Sequence, residues 1–148
     1  MPIAQFNIAR ARWPLEDSRM SGFTGMIDRM NGIASRSDGY VWRLVDESGP
    51  DAPTFPGDPR MTFTLSVWRD VESLRAFTWT TLHKRFRLRT SEWFEPLGQA
   101  YLAIWPIAND HRPNGGEAMA MLNKLRKEGP SDAVFGTERI MPDPVPSI

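Results

Sequence analysis

The sequence predicts an α+β fold: an antiparallel sheet with its helices on one face. Three observations carry that expectation. Apolar residues recur with period two in four stretches and with period 3.6 in three others. Those stretches come in the order strand, helix, strand, strand, helix, strand, helix. At 148 residues, with 41% hydrophobic and 24% charged side chains, the chain suits one domain around one core.

Residues 3–12 read as the first strand, with Phe6 and Ile8 alternating against Gln5 and Asn7. Trp13-Pro14 ends it. Asp17 or Ser18 caps the helix that follows, where Met20, Phe23, Ile27, Met30 and Ile33 recur at spacings of three and four. Gly22, Gly25 and Gly32 weaken this helix by roughly 1 kcal/mol each relative to alanine. Ser37-Asp38-Gly39 is a turn. In residues 40–46, Tyr40, Trp42 and Leu44 alternate with Val41, Arg43 and Val45 as a second strand.

Residues 47–60 are rich in Pro, Gly and Asp and form a loop longer than usual, which suggests a mobile or lid-like segment. The third strand, residues 61–68, sets Met61, Phe63, Leu65 and Val67 against Thr62, Thr64, Ser66 and Trp68. Asp70 is a good N-cap for a helix to about residue 88. Leu74, Phe77, Thr81 and Leu88 make one stripe on it, and Trp79, Leu82 and Phe86 a second beside the first. A helical turn over residues 91–95 stops at Pro96 and Gly98.

Residues 99–107 are the fourth strand, with Tyr101, Ala103 and Trp105 on one side. A last helix, residues 117–127, turns Ala118, Met121, Leu122 and Leu125 inward and ends at Gly129-Pro130. The order is the ferredoxin-like split βαβ pattern. Residues 1–136 read as one domain and 137–148 as a proline-rich tail. With helices on one face, the other face of the sheet is left bare, and the mixed Thr62–Trp68 side suits pairing with a second sheet. A homodimer is therefore expected.

Bulk chemistry excludes several classes. Eighteen basic residues balance eighteen acidic ones, so no global basic field favours nucleic acid. There is no cysteine, which removes disulfides, thiolate metal sites and cysteine nucleophiles. Clustered metal ligands, a phosphate-cradling glycine loop and Gly-x-Ser-x-Gly are all missing from the sequence. Neither a secretory signal nor a membrane-spanning run is visible, and a cytoplasmic protein without membrane or metal partners is expected.

The segments AQFNIAR (4–10), GYVWRL (39–44), SVWRDVESLRAF (66–77), EWF (92–94) and HRP (111–113), with the helix bearing His83, resemble one known group over roughly residues 3–136. The group is the dimeric α+β barrel superfamily, which includes antibiotic-biosynthesis monooxygenases, polyketide cyclases, lactone isomerases, heme-degrading enzymes and chlorite dismutases. Within it the chain is similar to a bacterial family labelled as a domain of unknown function.

His83 is the main candidate for chemistry. At helical spacing it borders Trp79, Thr80, Phe86 and Arg87. It suits a general acid or base, an axial heme ligand as the resemblance implies, or a histidine bonded to a neighbour for structure alone. The run Lys84, Arg85, Arg87, Arg89 splits across helix faces, as a solvated surface or as an anchor for a ligand's carboxylate or phosphate. Arg43, mid-strand between Val41 and Val45, must reach solvent, pair with an acid such as Asp46 or Glu92, or meet an anion.

Trp42, Trp68, Trp79, Phe86, Trp93, Tyr101 and Trp105 are candidates for a pocket wall, and each is equally a candidate for the core. The leading expectation is a homodimer that binds a hydrophobic, aromatic or polyketide-like molecule between its second helix and the sheet. It acts as a metal-free monooxygenase, cyclase or isomerase: His83 moves a proton, Arg43 or Arg87 holds an oxyanion, and no cofactor is needed. The alternatives are a heme protein with His83 as axial ligand, and a non-catalytic ligand-binding module.

Overall fold

β1 (Ile3–Ala11) is the centre of the sheet and runs antiparallel to three other strands. The computed structural model describes residues 1–79 and 90–140. On one side β1 pairs with β3 (Met61–Trp68), Phe6 opposite Leu65, and β3 pairs in turn with the edge strand β2 (Tyr40–Arg43). On its other side β1 pairs with β4 (Phe94–Glu95) at Arg10 and Ala11, and with β5 (Leu102–Pro106) from Ile3 to Asn7. Among the described residues the sheet has five strands. The sequence shows four because β4 is only two residues long.

The split βαβ order is present. A 3-10 turn, Ser18–Met20, capped by the Asp17 carboxylate, leads into α1 (Ser21–Ser35). α2 (Val71–Thr78) starts at Asp70, whose carboxylate accepts the Ser73 N–H at 2.8 Å. The extension of this helix to residue 88 lies outside the described residues. α3 (Thr90–Trp93) runs straight into β4. α4 (Gly115–Glu128) is capped by Asn114, and Gly129 ends it at φ +80°.

Strand alternation puts Ile3, Gln5, Asn7 and Ala11 on one face and Ala4, Phe6 and Ile8 on the other. α1 and α2 share the first face. Ala34 and Leu74 pack there on Ile3, Trp68 and Ile104 at one end, while Met20, Phe23 and Trp93 pack on Ala11 at the other. The second face is not bare. Ala118, Leu122 and Leu125 of α4 cover Ala4, Phe6, Ile8, Leu65, Val67 and Trp105. The apolar side of β3 therefore faces α4, and its Thr62–Trp68 side faces α1 and α2, so the argument for a dimer from a bare face loses its premise.

β2 departs from simple alternation as well. A bulge between Tyr40 and Trp42 sets Tyr40 opposite Trp68 and Trp42 opposite Val67. Two residues on β2 then oppose one step on β3, so Tyr40 and Trp42 lie on opposite faces. Regular pairing ends at Arg43, short of the expected Asp46.

The 47–60 loop, expected to be lid-like, is docked. The Gly115 N–H donates to Asp51 O at 2.6 Å, and a Cβ at Gly115 would run into the Pro53 backbone. Pro53 is buried, Phe55 packs on the core, and Asp58 takes the Arg10 guanidinium at 2.7 Å. At the far end, Ile140 is buried beside Phe135 and Ile3. Packed chain thus continues past residue 136.

Candidate functional site

Between the two apolar blocks on the face that α1 and α2 cover, the sheet is polar. Arg43, Ser66, Gln5 and Ile104 form one cross-strand row, and Thr64, Asn7 and Leu102 form the next. The Gln5 amide donates to Ser66 Oγ at 3.0 Å and to Thr64 Oγ1 at 3.1 Å. Trp68 Nε1 donates to the same Ser66 Oγ at 3.0 Å. Ser66 thus accepts from two donors and keeps its own proton to give.

This network stops short of satisfying itself. Gln5 is 8% exposed, and whichever way its amide is turned, one polar atom has no partner among the described residues. The Asn7 amide and the Arg43 guanidinium also have no hydrogen-bond partner there, nor has Arg43 an acid within ion-pair distance. Burying an amide with an unmet acceptor costs free energy unless water or a ligand completes it. Asn7 is half-buried and Thr64 exposed, so the strip opens from a closed end at Ser66 and Trp68. Two amides, two hydroxyls and a guanidinium in adjacent rows can hold a carbonyl or an oxyanion.

Neither acid expected for Arg43, Asp46 or Glu92, pairs with it among the described residues. Asp46 instead turns back on Ser48, accepting its N–H at 3.3 Å. Because β2 ends at Arg43, that carboxylate belongs to a local turn and lies off the strand's alternation. His83, Arg87 and Phe86 lie outside the described residues, and with His83 so does the heme alternative.

The remaining aromatic candidates are not brought to one wall. Trp68 is 1% exposed, stacked on Phe77 at 5.2 Å and edge-on to Tyr40 at 5.6 Å, so it is core at the closed end of the strip. Trp93 is buried against Phe23 at the other end, their centroids 6.0 Å apart. Trp79 caps α2 and donates Nε1–H to Ile140 O at 2.8 Å. Trp42 and Trp105 belong to the opposite face, under α4. Tyr101, 43% exposed, stands at a cleft on the edge of the sheet.

Two polar clusters escaped sequence reading. Glu117, in the first turn of α4, accepts Trp105 Nε1–H at 3.0 Å and pairs with His111 Nε2 at 2.7 Å. The contact spans a loop and a helix start, so no regular spacing announces it. At the start of α2, Arg69 holds Asp38 at 2.9 Å and Asp70 at 3.2 Å and donates to Ser73 Oγ at 3.0 Å. The Arg69 hydrogen bond holds the Asp38 carboxyl below its usual range; for Asp70 the Ser73 hydroxyl and N–H do the same. Asp70-Val-Glu-Ser73 is a visible capping signal, but Asp38 comes from a distant turn.

Among the described residues, no group of three or more His, Cys, Asp or Glu could hold a metal ion, and no helix is long and apolar enough to cross a membrane.

Comparison with known proteins agrees with the fold. A family model described as "Domain of unknown function (DUF3291)" matches residues 2–147. Among solved structures, Rv0793 from Mycobacterium tuberculosis is similar at a TM-score of 0.56 and 15% identity, over 75% of this chain and 100% of that one. A conserved protein from Methanosarcina mazei Go1 gives 0.55 and 13%, over 73% and 94%. SnoaB, a cofactor-independent oxygenase from Streptomyces nogalater, gives 0.52 and 9%, over 73% and 94%. No curated protein matches.

Proposed function

The chain belongs to the DUF3291 family, and on that premise we propose that it binds a small organic molecule on the polar strip of the face that α1 and α2 cover. The molecule carries a carbonyl or oxyanion and an aromatic or polyketide-like body. The observation that supports this is the set of polar groups at Gln5, Asn7 and Arg43 left incompletely satisfied among the described residues and held in adjacent rows of the sheet. Half-buried Leu102, opposite Asn7, offers the apolar body a surface beside them.

Three reactions suit such a site without a metal: monooxygenation, cyclisation and isomerisation at a carbon next to a carbonyl. All three begin by taking a proton to leave an enolate or phenolate, which needs a base and a fixed cation. Arg43 is the cation in this reading and His83 the base. SnoaB, of the same fold, is a cofactor-independent oxygenase, and its chemistry is the model for the first of the three. A homodimer is part of the proposal.

The test is to identify small molecules that co-purify with the chain by native mass spectrometry, then titrate them into variants. Arg43→Gln is expected to lower kcat/KM by about 10²–10³-fold, the usual effect of removing one oxyanion donor. His83→Ala is expected to abolish turnover with the circular dichroism spectrum unchanged. Full activity in Arg43→Gln overturns the assignment of the strip.

A further inference from the structure

We propose that a second cleft, where the chain enters β5, binds a small carboxylate with an apolar body and that Arg126 anchors it. The cleft has a volume of about 430 Å³ and lies between residues 99–102, the last turn of α4 and residues 130–138. That volume is within the range of small-molecule sites.

Arg126 reaches the cleft from α4 and is fixed there. Its Nε–H donates to Ala100 O at 2.8 Å. Among the described residues this leaves both terminal nitrogens of the guanidinium without a partner and no carboxylate within ion-pair distance of it. Burial pushes its pKa down, as expected for a cation that has lost water and gained no counter-charge. A half-buried arginine held by Nε alone presents two parallel N–H donors, the fork that suits a carboxylate.

The rest of the cleft sets the ligand's body. Leu102 and Leu125 supply apolar floor and Tyr101 a flat, partly exposed wall. Gly136 keeps the floor open: a Cβ there would come within 3.2 Å of Leu102 O and 3.4 Å of Leu125 Cδ2. Glu138 is turned by the Gly136 N–H, which its Oε1 accepts at 2.9 Å, so Oε2 is left to take a donor. A flat carboxylate with a hydroxyl at its far end answers all of these groups. The inference does not depend on the polar strip, with which the cleft shares only Leu102 at the end of one row.

The experiment is a two-dimensional NMR titration of the full-length ¹⁵N-labelled chain with 4-hydroxybenzoate, with benzamide as the uncharged comparison. Saturable shifts are expected at the Tyr101 and Gly136 amides, with benzamide far weaker. Arg126→Gln is expected to weaken binding about tenfold or more, the usual loss for a charged hydrogen-bond pair, and Arg126→Lys less. Should Arg126→Gln lose its dispersed spectrum, Glu138→Gln carries the test by narrowing the preference for 4-hydroxybenzoate over benzoate. Shifts centred on Gln5, Asn7 and Arg43, equal binding of benzamide, unchanged affinity in a folded Arg126→Gln, an unchanged preference in Glu138→Gln, or no saturation overturns the proposal.

Discussion

Trp68 uses both its area and its polar edge inside the fold, stacked on Phe77 with its N–H given to Ser66. Replacing it with alanine is expected to lower the unfolding free energy by about 3–5 kcal/mol, measured by urea denaturation. A loss below about 1 kcal/mol would mean that the ring is not core. The sequence could not separate this role from a pocket wall, because a tryptophan alternating on a strand looks the same in both. Gly39 is a sharper case. It sits at φ +86° and a Cβ there would overlap the Ser73 side chain. Gly39→Ala is expected to cost at least about 1–2 kcal/mol from the backbone alone, with a matching fall in the urea midpoint; an unchanged midpoint would show that the turn relaxes.

Among the elements, β3 was the most legible: its bounds follow from eight residues of unbroken alternation. β2 was not, because a bulge is a relation between two strands and Val41 carries no mark of it. The face chosen by α4 was equally hidden. Its own stripe, Ala118, Leu122 and Leu125, is plain in sequence, but which side of the sheet it covers depends on how the chain turns after Pro106. Gln5, Asn7 and Thr64 looked like ordinary outward residues, and only the register joins them to Ser66 and Arg43.

The start of α2 yields a pH prediction. Asp38 and Asp70 both have folded pKa values below their ordinary 3.8, and Asp17, bonded by Arg19, is lowered to about 2. A lowered folded pKa means that the unfolded chain binds more protons as acid is added. The stability from these carboxylates is therefore complete above pH ~4 and is lost as pH falls through the folded values. Urea unfolding between pH 6 and pH 2 is expected to show this loss, smaller at high salt because the pairs are exposed. In Asp70→Asn the acid slope is expected to flatten; an unchanged slope would remove Asp70 from the account.

At the scale of the whole molecule, the covered second face changes where a partner could sit. α4 leaves Trp42, Leu44, Met61 and Phe63 only partly buried, and Val45 beside them is 67% exposed. A second copy that docks there would bury this apolar margin, in keeping with the homodimer of the proposed function. Sedimentation equilibrium is expected to give twice 16.9 kDa, and Val45→Asp to shift the population toward the monomer. A monomer at all concentrations would leave the margin to another role.

The central place of β1 bears on how the protein is made. β1 pairs with β3, β4 and β5, and the last of these ends about a hundred residues on, with Ile3 opposite Pro106. Until β5 and α4 have been translated, Phe6 and Ile8 lack the cover of Ala118, Leu122 and Leu125. A nascent chain would then wait, half-assembled and prone to stick, and complete the sheet only after Pro106 has emerged.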